Sequence, residues 1–335
     1  MAIRVGINGF GRIGRLVLRS AIERGAAEIE VAAVNDLTDP KTNAHLFRYD
    51  STYGPFEGEV HFDEDEILIG DRKIRNFASP DPAAIDWGAA GVEVVVESTG
   101  RFTSREDAQK HLRDGVKKVI ISAPAKGEDV TLVLGVNDET YDPQNHHIIS
   151  NASCTTNCLA PLAKVLLDSF GIERGLMTTI HSYTNDQRLQ DQFHKDLRRA
   201  RAAAQNLVPT STGAAKAIGL VLPALQGKMH GYAVRTPTST VSLVDLTVLL
   251  EKDASPEAIN EAFGSAASGA LKGILRFTDE PLVSTDFIGD PHSCIFDALL
   301  TTMMGERFAK VVGWYDNEWG YACRVVDLIP FVMRS

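Results

Sequence analysis

The chain has 335 residues, more than one hydrophobic core usually supports, so we expect two domains. Its 44% hydrophobic and 23% charged residues are typical of a folded globular protein and exclude a disordered or fibrous one. The formal net charge of -10 argues against a nucleic-acid-binding surface, because phosphate backbones are bound by clustered basic side chains.

Neither a signal peptide nor a membrane segment is predicted. The chain runs from its first residues into a strand-like stretch, and it has no run of about 18 apolar residues. We therefore expect a cytoplasmic protein with no membrane contact. The four cysteines are too few for a disulfide framework in a chain of this length, and we expect all of them to be thiols.

The N-terminal segments predict a βαβ unit. Ile3–Asn8 reads as a buried strand, the glycine-rich turn Gly9–Gly14 follows it, and an apolar-faced helix leads to a second strand at Ile29–Asn35. A helix that joins two parallel strands in this way is almost always a right-handed connection.

The glycine turn and Asp36 together indicate a dinucleotide site. In the G-x-G-x-x-G spacing, Gly9 permits the tight turn, Gly11 lets backbone approach a pyrophosphate, and Gly14 lets the helix pack on the strand. Asp36 ends the second strand, where a carboxylate accepts hydrogen bonds from the adenosine ribose and repels a 2′-phosphate. This favours NAD over NADP. The alternative is a glycine turn and a strand-end aspartate that bind no ligand.

The rest of the first half predicts a mostly parallel sheet covered by helices. Ser104–Leu112 is helix-like, and the apolar β-branched runs that predict strands are Val92–Val96, Val116–Ile121, Thr131–Val136 and His147–Ile149.

After residue 154 the longer, partly alternating strands predict a mixed or antiparallel sheet. Gln187–Thr212 has no clear period and is expected to be a long, ordered, functional loop. The predicted regular elements are a helix at Thr155–Phe170, strands at Leu176–Tyr183, Met229–Arg235, Val241–Leu250 and Phe308–Tyr315, and a helix that begins at Ser255-Pro256.

Cys154 is a candidate nucleophile at a junction between a strand and a helix. In the first helical turn the helix dipole lowers the pKa of a thiol, which makes a thiolate available. A buried, inert cysteine is one competing interpretation. A metal pair with Cys158 is another, but no second pair of ligands occurs at matching spacing, so we predict no metal site.

His181 ends the strand that follows this helix and is a candidate general base. An imidazole beside the thiol could take a proton from a thiohemiacetal and later return one. Sequence spacing alone leaves a structural histidine equally acceptable.

Phosphate recognition also has candidates, which supply hydroxyl, amide and guanidinium donors. Their spacing does not show whether they converge. The candidates are Thr184, Arg199, Thr212, Gly213 and Arg235. Arg199 also belongs to the basic cluster of Lys195, Arg198 and Arg201, which is either a solvated face or a site of phosphate or intersubunit pairing.

Six segments in the same order along essentially the whole chain resemble the phosphorylating glyceraldehyde-3-phosphate dehydrogenases. They read INGFGRIGR, NASCTTNC, HSYTNDQR, HKDLRRARAAA, TSTGAAKA and WYDNEWGY. The resemblance implies an α/β protein with a discontinuous Rossmann-type NAD-binding domain, residues 1–153 and 316–335. It also implies an α+β catalytic domain with a mixed or antiparallel sheet, residues 154–315.

The resemblance further implies an activity. Cys154 is the nucleophile and His181 its base in the oxidation of D-glyceraldehyde 3-phosphate by NAD and inorganic phosphate, through a thiohemiacetal and a thioester, to 1,3-bisphosphoglycerate. This is a glycolytic and gluconeogenic reaction. The family is homotetrameric, and its long loop, here Gln187–Thr212, reaches a neighbour's cofactor site.

The resemblance also assigns the binding residues. The cofactor-contact positions are Gly9, Gly11, Arg12, Ile13, Gly14, Asp36, Ser122 and Asn317. The positions for the substrate phosphate and the attacking phosphate are Ser153, Cys154, Thr155, Thr184, Arg199, Thr212, Gly213 and Arg235.

The sequence departs from the family pattern in two places. Gln192-Phe193 stands where many bacterial NAD-specific members have Leu-Pro, and Pro80 replaces a cofactor-contacting arginine. Some use of NADP is therefore compatible with the sequence. Two other functions are alternatives: erythrose-4-phosphate dehydrogenase, and a non-catalytic NAD-binding redox sensor in which Cys154 is an oxidisable thiol.

Overall fold

A computed structural model describes residues 2–334 of the chain. These residues form two compact units. The first unit comprises the chain up to Leu132, Glu139–Ala152, and the segment from Ala322 onward. The second comprises Val133–Asp138 and Ser153–Tyr321.

The helices and strands have the following bounds. The helices are α1 Arg12–Glu23, α2 Pro40–Arg48, α3 Arg105–Ala108, α4 Cys154–Phe170, α5 Ala214–Val221, α6 Pro256–Ser268 and α7 Trp319–Val332. The strands that precede α4 are β1 Ile3–Asn8, β2 Ile29–Asn35, β3 Tyr49–Asp50, β4 Gly54–Pro55, β5 Val60–Phe62, β6 Glu66–Ile69, β7 Arg72–Phe77, β8 Val94–Glu97, β9 Lys118–Ile121, β10 Val130–Thr131 and β11 Ile148–Ser150. The later strands are β12 Ile172–Ser182, β13 Val208–Ser211, β14 Met229–Thr236, β15 Ser242–Leu250, β16 Leu275–Thr278, β17 Cys294–Asp297, β18 Thr302–Met304 and β19 Phe308–Tyr315.

The first unit contains a sheet in the order β10-β11-β9-β8-β1-β2-β7-β6-β5. Its strands are parallel from β10 to β7, and β6 and β5 complete it as antiparallel edge strands. Runs of valine and isoleucine are buried in the central strands, and Trp87 packs in an apolar cluster with Val95, Val119 and Ile148. The mostly parallel sheet predicted from the sequence pattern, and the Rossmann-type fold that the resemblance implies, are confirmed.

Polar residues end the central strands of this sheet. Asn8, Asn35 and Glu97 are the last residues of β1, β2 and β8, and all three are buried. Because β1 lies between β2 and β8, the strand order changes direction there, and parallel sheets bind ligands at the carboxyl edge of such a point.

The second unit contains a mixed sheet in the order β13-β14-β12-β15-β19-β17-β16, with β18 paired to β19. The β12–β14 pair is parallel, whereas β12–β15 and β15–β19 are antiparallel. Helix α4 contacts β15, β17 and β19 on one face of the sheet. In β15, buried residues alternate with partly exposed ones, so the opposite face carries less cover. The predicted mixed sheet is confirmed.

Several element boundaries differ from those predicted. The strand predicted at Thr131–Val136 is confined to Val130–Thr131, because Gly135 adopts φ +81° and the Asn137 carboxamide accepts a hydrogen bond from Val133 N. The predicted loop Gln187–Thr212 contains β13, which pairs with β14. Helix α6 begins as predicted, with Ser255 Oγ accepting from Ala258 N.

Within residues 2–334 no helix combines the length and the hydropathy that crossing a membrane requires.

Candidate active site

Cys154 is the first residue of α4, and its position is fixed by a helix cap. The Ser153 hydroxyl accepts a hydrogen bond from Thr156 N at 3.0 Å and lies 2.8 Å from Thr156 Oγ1. Ala152, two residues before Cys154, adopts φ +53°, a left-handed conformation that non-glycine residues occupy at an energetic cost. The tight entry and the cap together orient the thiol at the helix N-terminus.

His181 lies beside this thiol. Its Nε2 is 3.5 Å from Cys154 Sγ, and the imidazole is buried near the end of β12. In the parallel pairing of β12 with β14, His181 is opposite Arg235. The strand register therefore brings an imidazole, a guanidinium and a thiol together.

The Nδ1 atom of His181 has two neighbours, one a hydrogen-bond acceptor and the other a donor, that require different protonation of this nitrogen. The Ser182 carbonyl, 2.7 Å away, requires a proton on Nδ1, whereas the Arg235 Nη1 donor requires a lone pair there. In the first arrangement Nε2 is an acceptor that faces the thiol, and in the second Nε2 carries the proton. The first arrangement is the one in which Nε2 can take a proton from the thiol or from a thiohemiacetal hydroxyl.

Burial controls the ionisation of both reactive groups. It lowers the pKa of His181 to about 3, and the positive charge of Arg235 acts in the same direction. Burial also raises the pKa of Cys154, against the opposing effects of Arg235 and of the Thr155 amide. Cys154 nevertheless keeps part of its surface exposed, so a substrate can reach it. The expectation of a lowered thiol pKa is wrong, because desolvation outweighs the groups that lower it.

A buried hydroxyl network lies behind the pair. Tyr315 Oη is 2.9 Å from both Thr155 Oγ1 and Thr179 Oγ1, and its ring meets the His181 ring edge-on. Burial raises the pKa of Tyr315 well above its ordinary value, so it remains a neutral phenol. Sequence reasoning missed Tyr315, although it lies in the WYDNEWGY segment.

Two basic side chains bring positive charge to this region. Arg235 is mostly buried, burial lowers its pKa, and the nearby Arg199 lowers that pKa further. Arg199 donates to Asp186 Oδ2 at 2.6 Å and to Thr210 Oγ1 at 2.8 Å. Two cations this close repel each other, and this repulsion favours an anion between or beside them.

Unpartnered donors reinforce that interpretation. Among the described residues, the buried Arg235 Nε and Gln187 Nε2 atoms have no hydrogen-bond acceptor. Gln187 Oε1 accepts from Thr184 N at 3.3 Å, which fixes the orientation of its amide. Buried donors without acceptors are costly, so these atoms suit an oxyanion ligand. Gln187 was also missed, since an isolated glutamine carries no spacing signal.

Within the described residues, Thr212 and Gly213 make no direct hydrogen bond to the Cys154–His181 pair. Gly213 is the N-cap residue of α5, and Thr212 Oγ1 accepts from Ala214 N at 3.2 Å. In the basic cluster, Arg201 pairs with Asp191 at 2.8 Å as Arg199 pairs with Asp186, so acidic residues of the same loop balance it.

The glycine turn of the first unit has the shape that a dinucleotide requires. A Cβ on Gly9, which adopts φ +90°, would lie 2.6 Å from Thr99 N, and one on Gly14 would lie 2.1 Å from Gly9 O. A Cβ on Gly11 would meet no atom within 4 Å, so this glycine borders open space. Gly11 is also the N-cap residue of α1, and a glycine has no side chain to accept a hydrogen bond from the first helical amides. These amides can therefore bind an anionic ligand. These residues fit NAD.

The remaining predicted cofactor residues occupy distinct positions. Asp36 Oδ2 accepts from Phe10 N at 2.8 Å, so the carboxylate holds the glycine turn. The Arg12 side chain pairs with Asp50, while Ile13 follows it in the first turn of α1. Ser122 follows β9 at the carboxyl edge of the sheet and donates its amide to Glu97 O. Asn317 lies in the second unit and accepts from Ser242 Oγ at 2.9 Å.

Comparison with known proteins decides the family. A profile described as glyceraldehyde 3-phosphate dehydrogenase, NAD binding domain, matches residues 3–105, and one described as the C-terminal domain of the same enzyme matches residues 153–317. The chain belongs to the glyceraldehyde-3-phosphate dehydrogenase family.

The alignments with curated relatives cover nearly the full length of this chain and of each relative. The glyceraldehyde-3-phosphate dehydrogenase of Geobacillus stearothermophilus is 58% identical over 99% of this chain and 98% of its own. Glyceraldehyde-3-phosphate dehydrogenase 1 of Bacillus cereus is 59% identical over 98% of each chain. The Streptomyces coelicolor enzyme is 57% identical over 99% of each chain. The resemblance inferred from six short segments is confirmed.

Proposed function

We propose that the chain oxidises D-glyceraldehyde 3-phosphate with NAD and inorganic phosphate to 1,3-bisphosphoglycerate, a step of glycolysis and gluconeogenesis. The observation that carries this proposal is the 3.5 Å approach of His181 Nε2 to Cys154 Sγ at a helix N-terminus. A nucleophilic thiol within reach of a base is the arrangement that covalent aldehyde oxidation needs.

In the first half of the reaction, Cys154 Sγ attacks the aldehyde carbon, and the thiol proton passes through His181 Nε2 to the aldehyde oxygen. The product is a thiohemiacetal. When bound, NAD supplies the acceptor for the hydride that leaves the thiohemiacetal carbon. His181, which is neutral because its pKa lies at about 3, takes the hydroxyl proton as the carbonyl of the thioester forms.

In the second half, a phosphate oxygen attacks the thioester carbon and the Cys154 sulfur leaves. His181 returns its proton to the sulfur, so that the acyl phosphate departs and the thiol is restored. Covalent capture thus divides a difficult oxidation into two steps with lower barriers.

Anion binding is assigned to the donors around this pair. Arg235 and Arg199 provide charge, and the unpartnered Arg235 Nε provides a donor. The proposed set for the substrate phosphate and the attacking phosphate is Ser153, Cys154, Thr155, Thr184, Arg199, Thr212, Gly213 and Arg235. In this set, the Ser153 hydroxyl caps α4 and the Thr155 hydroxyl contacts Tyr315. We therefore assign to these two hydroxyls the local positioning of the site.

NAD is held by the glycine turn and the carboxyl edge of the parallel sheet. In this proposal Gly9, Gly11 and Gly14 give room and amides for the pyrophosphate, and Asp36 accepts from the adenosine ribose. Arg12, Ile13, Ser122 and Asn317 complete the contact set. We assign the cofactor domain to residues 1–153 and 316–335 and the catalytic domain to 154–315.

Assembly is proposed to be homotetrameric in the cytoplasm, with a second copy of this chain covering the open face of the second unit's sheet. That face exposes Leu176 and Tyr232 by 66% and 50%, and Phe308 by 44%. Apolar side chains at this density on one sheet face are typical of an interface between subunits. Sedimentation velocity of the purified chain tests this, and a monomer at micromolar concentration contradicts it.

The enzymatic proposal is tested by NADH formation at 340 nm with glyceraldehyde 3-phosphate, with and without inorganic phosphate. Sustained turnover is expected only with phosphate. Cys154→Ser should abolish it, whereas Cys158→Ser, one helical turn away, is the matched control and should retain it. Full phosphate-dependent activity of Cys154→Ser would refute Cys154 as the nucleophile, whereas a wild type that binds NAD without any turnover would favour the redox-sensor alternative. A higher kcat/KM for erythrose 4-phosphate would favour the sister enzyme.

A further inference from the structure

A buried polar network in the first unit has no part in the chemistry described above. His111 is completely buried and Glu97 is 2% exposed. The Trp87 indole Nε1 donates to His111 Nδ1 at 3.0 Å, and His111 Nε2 lies 3.2 Å from Glu97 Oε2. Asn8 Nδ2 donates to the same carboxylate oxygen.

The indole fixes the protonation state of His111. An indole N–H can only donate, so Nδ1 must present a lone pair and the ring proton must be on Nε2. The imidazole is therefore neutral and donates to Glu97. This arrangement satisfies both ring nitrogens in a site closed to water.

The other oxygen of Glu97 holds the loop that follows β8. Glu97 Oε1 accepts from Thr99 N at 2.9 Å and from the Thr99 hydroxyl. The Thr99 hydroxyl in turn accepts from Arg101 N at 3.1 Å. One buried carboxylate thus fixes the backbone of residues 98–101, the loop that we call the Thr99 loop.

The Thr99 loop packs directly on the glycine turn. Ser98 Oγ donates to Gly9 O at 2.7 Å, and the space for a Cβ on Gly9 is filled by Thr99 N. Asn8 also accepts from Asn35 Nδ2 at 2.8 Å, which joins the ends of β1 and β2 to the network. The position of the Thr99 loop therefore determines the shape of the proposed pyrophosphate site.

We propose that Glu97 and His111 are positioning residues for the cofactor. They preorganise the Thr99 loop and the glycine turn to receive the pyrophosphate and the adjoining ribose of a dinucleotide. The inference rests on the proposed use of NAD. Binding a rigid, preformed loop avoids the entropy of ordering it, so loss of the network weakens NAD more than it weakens a ligand that binds only at Asp36.

The test is isothermal titration calorimetry of purified variants with NAD and with adenosine, which has the ribose for Asp36 but no phosphate. His111→Leu removes the donor to Glu97 and the acceptor for Trp87, whereas His111→Gln can replace both with one carboxamide. We expect His111→Leu to weaken NAD binding about tenfold, in line with the loss of a buried hydrogen-bond partner. His111→Gln should remain within about twofold of the wild type, and adenosine affinity should change little in either variant.

Unchanged NAD affinity in a folded His111→Leu variant, or an equal loss for adenosine and NAD, would overturn the proposal, because both results describe a merely structural residue. If His111→Leu does not fold, Glu97→Gln, which keeps the side-chain shape, serves instead and should likewise weaken NAD selectively. Calorimetry needs no turnover. If the variants show these differences in NAD affinity but the wild type fails to oxidise glyceraldehyde 3-phosphate, the proposed function alone is refuted.

Discussion

Arg235 lies opposite His181 in the parallel pairing of β14 with β12, and its guanidinium contacts the imidazole nitrogen that faces away from Cys154. The positive charge of Arg235 lowers the pKa of both members of the pair: it disfavours imidazolium and favours thiolate. One side chain thus keeps the base neutral while it activates the nucleophile.

Removing that charge is therefore expected to make Cys154 less reactive. In Arg235→Gln the pKa of Cys154 should rise further, because the positive charge that opposes the effect of burial is then absent. The pH dependence of alkylation by iodoacetamide measures this, and its midpoint should move to higher pH. Arg201→Gln, which breaks an exposed pair with Asp191, is the control and should leave the midpoint in place. An unchanged midpoint in Arg235→Gln would refute the electrostatic role.

His181 should make the free energy of unfolding depend on pH in the acid range. Its pKa is about 3 in the folded chain against an ordinary value of 6.5, so between these values the unfolded chain binds a proton that the folded chain does not. Stability from this group is complete above about pH 6.5 and is lost as the pH falls towards 3, at up to about 1.4 kcal/mol per unit. His181→Asn should flatten the fall in thermal midpoint between pH 6 and pH 4. Parallel curves for both proteins would contradict this account.

The hydroxyl of Tyr315 is expected to stabilise more than it catalyses. Tyr315→Phe leaves Thr155 and Thr179 without their shared partner, which costs about 1–3 kcal/mol for buried polar groups. The free energy of unfolding should fall by this amount, while kcat should decrease much less than in His181→Asn, for which about 10²–10⁴-fold is expected. A loss of kcat as large as that of His181→Asn would make Tyr315 a participant in proton transfer.

Asp36 has two roles, to hold the glycine turn and to repel a 2′-phosphate, and two variants distinguish them. Asp36→Asn removes the negative charge but keeps an oxygen for Phe10 N, so it should raise kcat/KM for NADP while the glycine turn stays in place. Asp36→Ala removes both and should also weaken NAD. Steady-state kinetics with each cofactor compares them. If neither variant changes the NAD to NADP ratio, selectivity lies elsewhere, with Gln192 the first position to examine.

Much of this architecture was predictable from local patterns. The β1–α1–β2 unit, the start of α6 and the position of Cys154 at a helix N-terminus follow from periodicity, glycine spacing and capping residues. Such signals are contained within a few residues, so no tertiary information is needed to interpret them.

What could not be predicted depends on contacts between distant segments. The pairing of His181 with Arg235 is set by strand register, and the Glu97–His111 pair joins a strand end to a short 3₁₀ helix 14 residues away. The thiol pKa was misjudged for the same reason, because the helix dipole is visible in sequence while burial is a property of the folded chain. Family resemblance supplied the pairing of Cys154 with His181, which spacing left open.

Covalent oxidation on Cys154 is tested most directly by a single-turnover experiment without inorganic phosphate, followed by mass spectrometry of the chain. With excess glyceraldehyde 3-phosphate and NAD, a burst of about one NADH per active chain is expected, together with an acyl adduct on the peptide that carries Cys154. Added phosphate should remove the adduct and restore continuous turnover. A burst-free time course, or an adduct on another residue, would contradict the account.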